Sequence, residues 1–319
     1  MGSDTEHAEH IEETVARLLG YVAHVPPDVR VYDITEESAE RVFGLRGLLP
    51  ELRARGLPFE SHPDGPRYCF SDIHFLGLRV GKRSTYALAI RLWAKTLEIV
   101  ADRASVTFRV RVIPHDDAVA GAGVMLTPEG TRDVSIAPGM LATELQIPVV
   151  ESPNGIPPRV RELLDEVSTL DFFVLPQRTP NRADVVRRIH AGECESISDL
   201  LSAEIERLGY EVRIRAGLVL SIPYSITHVW CELRIGDEWI ALDPLMLAVM
   251  TRFGNLDRRR WPPSHPFSAI YGVQTIQRTS IPEPFLSLTE GTVVTATYVT
   301  SLENDAPHPS TAARSVLRT

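Results

Sequence analysis

The feature that most constrains this chain is a change of hydrophobic period in its second half. Three stretches between residues 157 and 209, "PPRVRELLDEVSTL", "RADVVRRIHAG" and "ESISDLLSAEIERLG", carry apolar residues at helical spacing. Three strand-like runs follow, "EVRIRAGLVLSI", "THVWCELRI" and "EWIALDPL". Helices first and antiparallel strands afterwards predict an α+β domain rather than a parallel sheet with crossover helices. In the third helix Ile197, Leu200, Leu201, Ile205 and Leu208 form one apolar stripe, and Gly209 supplies the stop. Gly236-Asp237 is a two-residue hairpin turn between the last two strands.

The first half has a different order. "HIEETVARLLGYV" reads as a helix with Ile11, Val15, Leu18 and Leu19 on one stripe, after a frayed residue 1–10 segment, and "TEESAERVFGLRGLLPELRARG" as further helix. From about Arg67 to Val150 the sequence reads as β-rich, with "YALAIRLWAKTLEIVA", "ASVTFRVRVIPHD", "RDVSIAP" and "TELQIPVV" between turn signals. "VTFRVRV" alternates strictly, as a half-buried strand does. "ESPNGIPP" at 151–158 is the best linker. The expected organisation is therefore N-terminal helices plus a β-rich domain over 1–150, an α+β domain over 151–302, and a disordered tail over 303–319.

Composition narrows the function classes. The net charge of −9 argues against a phosphate-tracking surface and hence against nucleic acid as a partner. No apolar run reaches the length of a membrane span, and the acidic N-terminus lacks the plan of a signal peptide, so a cytoplasmic location is expected. Cys69, Cys194 and Cys231 are too few and too scattered for a disulfide framework. Cys69 with His74 offers two metal ligands where zinc takes three or four, and the His115-Asp116-Asp117 run reads as a turn; no metal is expected.

One cysteine is differently placed. Cys194 falls at the start of the third helix, where unpaired N–H groups and the positive end of the helix dipole favour a thiolate and can hold an oxyanion. If Gly236-Asp237 is the turn, Ile235 faces Glu238 and His228 faces Leu245, which makes His228 and Asp243 diagonal cross-strand neighbours. Asp243 then orients the imidazole of His228, leaving its other nitrogen for the thiol, the nucleophile–base–orienter plan of acyl transfer. Cys231, three residues from His228, faces the other side of the strand and reads as core.

The segment "GEC…LLSAEIERLGYEVRIRAGLVL…THVWCELRIGDEWIALDP" resembles the core of the transglutaminase-like superfamily of papain-related folds. The likeness rests on Gly192, Cys194, Gly209, Arg213, Gly217, His228, Trp230, Trp239, Asp243 and Pro244, and covers roughly residues 155–250. Cys-to-His and His-to-Asp separations are 34 (228 − 194) and 15 (243 − 228). It departs from the family's usual residues at Glu193 and Val229. The resemblance implies Cys194 as nucleophile, His228 as base and then acid, and Asp243 as the group that holds the imidazole. It implies a side-chain oxyanion donor too, for which Gln177 and Asn181 are the candidates. It further implies a thiol acyltransferase with no cofactor, forming an amide through an acyl-Cys194 thioester from a peptide or carrier-protein donor, with an amine or water as acceptor. The alternatives are a cysteine peptidase or amidohydrolase of the same fold and, in another class, a non-catalytic transglutaminase-like scaffold. Oligomeric state is not readable from the sequence.

Overall fold

The computed structural model describes residues 2–81, 84–101, 103, 105–150, 155–176, 179, 182–278, 280 and 282–303, with side chains from residue 12 onward apart from that of residue 150. The first helix, α1 (Gly2–His24), runs through the segment expected to be frayed and buries Val15, Leu18 and Tyr21. Pro26 and Pro27 end it; a single 3-10 turn (Pro27–Val29) leads into β1 (Tyr32–Thr35). The next helical stretch comes as two short helices, α2 (Glu36–Arg41), capped by the Thr35 hydroxyl on Ser38 N at 3.0 Å, and α3 (Leu49–Ala54). Between them Gly44 and Gly47 take φ of 73° and 72°, which breaks the helix. A hairpin of β2 (Glu60–His62) and β3 (Gly65–Cys69) follows, then α4 (Phe70–Arg79) and α5 (Thr85–Ala101).

That last helix corrects the sequence reading, which groups "YALAIRLWAKTLEIVA" with the strands. Its buried Ile90, Ala94, Leu97 and Val100 are four, three and three residues apart, one helical face. The strand that follows α5 is β4 (Ser105–Pro114), where Val106, Phe108, Val110 and Val112 are all buried, as the alternation required. β5 (Gly121–Thr127), β6 (Gly130–Ile136) and β7 (Thr143–Val150) complete the strands of the first half.

Beyond the linker, of which residues 151–154 lie outside the described residues, come α6 (Pro158–Val167), β8 (Asp171–Phe172), α7 (Arg182–Ile189), β9 (Ala191–Gly192) and α8 (Cys194–Arg207). They are followed by β10 (Val212–Val219), β11 (Tyr224–Ile235), β12 (Glu238–Leu242) and α9 (Pro244–Gly254). The chain then adds β13 (Ile270–Ile276), β14 (Leu286–Leu288) and β15 (Ala296–Leu302). The tail over 304–319 lies outside the described residues.

The main sheet runs in the order β13-β10-β11-β15-β4-β7, with β12 also paired to β11. β15 stands between β11 and β4, so the strands of the first half and those behind Cys194 share hydrogen bonds in one antiparallel sheet. Two further sheets have three strands each, in the orders β14-β5-β6 and β1-β3-β2, and β8 pairs with β9 in parallel. The result is mixed helices and antiparallel sheets, an α+β molecule with a papain-like core.

Candidate active site

The short β9 delivers the chain to α8. Gly192 is tightly enclosed: a Cβ there would lie 2.8 Å from both Ser196 Oγ and Val186 Cγ2. Glu193 caps the helix, its carboxylate accepting from Ser196 N at 3.1 Å while Ser196 Oγ accepts from Glu193 N at 3.2 Å. Cys194 is thus the first residue inside the helix, and its side chain is partly exposed.

β11 and β12 pair in the register read from the turn, Ile235 with Glu238 through Cys231 with Leu242. The ladder stops there, which corrects one step of the sequence reading. Pro244 has no N–H to offer a ladder and suits the first turn of a helix, so the expected His228–Leu245 pair is not formed and Leu245 lies in α9. Asp243 leaves the strand with φ −145° and ψ 76° and becomes the cap of α9, one carboxylate oxygen accepting from Met246 N at 2.8 Å. Its other oxygen is 2.5 Å from His228 Nε2. The two residues meet through a strand end that turns into a helix, rather than diagonally across a ladder.

His228 and Asp243 are buried, 8% and 6% exposed. Burial alone would depress the imidazole, yet the charge of Cys194 and that of Asp243, with hydrogen bonds to both, raise His228 to about 10. With Nε2 given to Asp243, Nδ1 is left for the thiol. The fold therefore brings together Cys194, His228 and Asp243. Gln177 and Asn181 lie outside the described residues. Cys231 is fully buried, its thiol donates to the Ser198 carbonyl at 3.2 Å, and burial pushes it well up. It is core, as its place three residues from His228 required.

A second tier holds the histidine strand. Trp230 lies near-parallel to His228, ring centres 6.3 Å apart, and donates to Glu232 at 3.2 Å. Arg213 pairs with Glu232 at 2.6 Å and lies over the Trp239 ring at 4.1 Å. Arg215 lies over Gly272 and donates to its carbonyl at 2.7 Å. Arg182, which sequence reasoning missed, pairs with Glu193 and reaches Glu195 at 3.8 Å. Its signal in the sequence is a cation at a helix start, where the dipole favours acids.

The model of the transglutaminase-like superfamily matches residues 151–244, the span that contains this constellation. That segment is transglutaminase-like. The transglutaminase-like core carries a cysteine-based catalytic fold. Among solved structures, the chain matches a candidate cysteine protease from Cytophaga hutchinsonii at 11% identity and a TM-score of 0.31, over 64% of this chain and 90% of that one. No curated protein matches. Among the described residues no helix is long and apolar enough to cross a membrane.

Proposed function

We propose that the protein is a thiol acyltransferase that forms an amide through an acyl-Cys194 thioester. The observation that carries this reading is the contact series Cys194–His228–Asp243, with the thiol at a helix start and the imidazole held by a capped carboxylate. Cys194 attacks the acyl carbon of a carrier thioester or peptide, with the carbonyl oxygen held by first-turn amides of α8. The leaving thiol or amine departs with the proton from His228, and the acyl group rests on sulfur. An acceptor amine then attacks, gives its proton to His228 and leaves as the amide, freeing Cys194. Asp243 keeps the imidazole oriented in both steps. Water in place of the amine gives hydrolysis by the same intermediate, and the acceptor alone separates the two outcomes.

Intact-protein mass spectrometry after incubation with acyl thioesters and peptides tests this. A mass gain equal to the acyl group is expected in the native chain and absent in Cys194→Ala, and an added amine should discharge it as the amide faster than water does. An adduct that survives in Cys194→Ala, or none with any donor, overturns the proposal.

A further inference from the structure

His228, Trp230 and Glu232 alternate along β11, so their side chains share one face of the sheet. Across the ladder, β10 sets Gly217, Arg215 and Arg213 opposite them in turn. A series of contacts runs along this face, away from Cys194. The Trp230 ring lies at 16° to the imidazole of His228, with centres 6.3 Å apart. Its indole N–H donates to one oxygen of Glu232 at 3.2 Å. The other oxygen accepts from Arg213 Nε at 2.7 Å, and Arg215 Nε stands 4.0 Å from the first.

Glu232 is buried and Trp230 fully so. Taking a carboxylate out of water is costly, and an apolar residue of similar volume in such a place is often no less stable. The acid does one thing that an apolar side chain cannot. It takes the indole N–H, and so fixes which way round the Trp230 ring sits. Gly272 of β13 bounds the same ring, since a Cβ there would come 3.2 Å from Trp230 Cζ2 and 2.9 Å from Arg215 Nε. Arg215 is held at that place by the Gly272 carbonyl at 2.7 Å and by Thr275 Oγ1 at 2.9 Å.

The imidazole needs such a wall. Its Nε2 lies close to the Cβ–Cγ axis, so the hydrogen bond to Asp243 tolerates rotation about χ2, which is a soft torsion. Nδ1 lies off that axis and swings with the ring, toward the thiol or away from it. A flat, immobile ring near-parallel to the imidazole limits that swing.

We infer that Glu232 is a positioning residue for His228: it locks the Trp230 ring, and that ring sets the imidazole plane that turns Nδ1 toward Cys194. This rests on the reading of His228 as the base that serves the thiol. A Glu232 that only steadied the strand would change stability and leave the imidazole as it is.

The test is nitrogen NMR of the full chain labelled in its histidine rings, at a single pH, with urea midpoints taken alongside. The native chain is compared with Glu232→Leu, Glu232→Gln and Trp230→Phe. The native chain should show one sharp pair of His228 ring signals, assigned by their loss in His228→Gln. In Glu232→Leu that pair should split or broaden, while the signals of His74, buried in the first half of the chain, stay as they are. Glu232→Gln should keep the native pair, because its amide oxygen still accepts from Trp230. Trp230→Phe, a ring without the N–H, should repeat the loss, and adding Glu232→Leu to it should change nothing more. A native His228 pair in Glu232→Leu, whatever its urea midpoint, overturns the inference, as does equal broadening at His74 or a lost pair in Glu232→Gln. Should Glu232→Leu fail to fold, Trp230→Phe decides alone, and a native pair there overturns it. The spectra need no acyl donor. A chain that shows these changes but never forms an acyl adduct keeps this inference and loses the acyltransferase; an adduct with unmoved spectra does the reverse.

Discussion

Two buried histidines show how far one side chain can be driven by its partners. His74 lies among the rings of Phe43, Phe70, Tyr86 and Phe172, and burial lowers it to about 3, so it stays neutral. His228 is as deeply buried but faces a thiol and a carboxylate, and it is raised to about 10. A histidine raised above its unfolded value of about 6.5 contributes stability that is full below that pH and is lost as pH rises through about 10. Asp243→Asn keeps an amide oxygen for Met246 N but removes the charge. The variant should be less stable than the native chain at pH 6 and should lose less on going to pH 10, as read by urea midpoints. Parallel pH profiles would show that the Asp243 charge does not hold the imidazole.

At the scale of elements, the strand that carries His228 depends on its neighbour's lack of a side chain. Gly217 of β10 stands opposite His228, and a Cβ there would fall 1.9 Å from the Tyr271 carbonyl of β13. Gly217→Ala must therefore push β10 and β13 apart behind the site. A loss of about 1–3 kcal/mol in urea unfolding is expected, with slower Cys194 alkylation; unchanged stability would mean the ladder yields without strain. Such close approaches explain why some of the site was legible in the sequence. The α8 stripe, the Gly236-Asp237 turn and strict alternation are local signals, and together they placed Cys194 and the register of β11 with β12. They did not show that Pro244 ends the ladder and that Asp243 caps a helix. In α5 the polar Arg91, Lys95 and Glu98 stand four and three residues apart, a helical signal hidden in a long apolar run. β15 pairs with a strand nearly two hundred residues earlier, which no local pattern shows; the cation at the start of α7 is visible in the sequence, but its partner Glu193 is given only by the fold.

For the molecule as a whole, one carboxylate ties the two halves together. Asp171 of β8, beside the strand that leads to Cys194, receives Arg79 of α4 at 2.6 Å, Arg252 of α9 at 2.5 Å, Arg17 of α1 at 3.3 Å and the hydroxyl of Tyr21. Burial would raise Asp171, but Tyr21 and the arginines hold it below the ordinary carboxylate range. Arg79 is nearly enclosed, so Asp171→Asn leaves a buried cation without its anion, a loss of roughly 3 kcal/mol. The shared sheet adds a second tie, because β15 is bonded to β11 on one side and β4 on the other. A chain joined in both ways should open as one unit. Two buried thiols report on it: Cys69 in the first half and Cys231 in the second. Thiol exchange of the native chain should give the same opening free energy at both cysteines, and Asp171→Asn should lower both together. If Asp171→Asn exposed Cys69 while Cys231 kept its protection, the halves would open separately and the carboxylate would hold only the N-terminal helices. Equal loss at both sites would mean that the geometry around Cys194 is held by the first half of the chain as much as by the transglutaminase-like core itself.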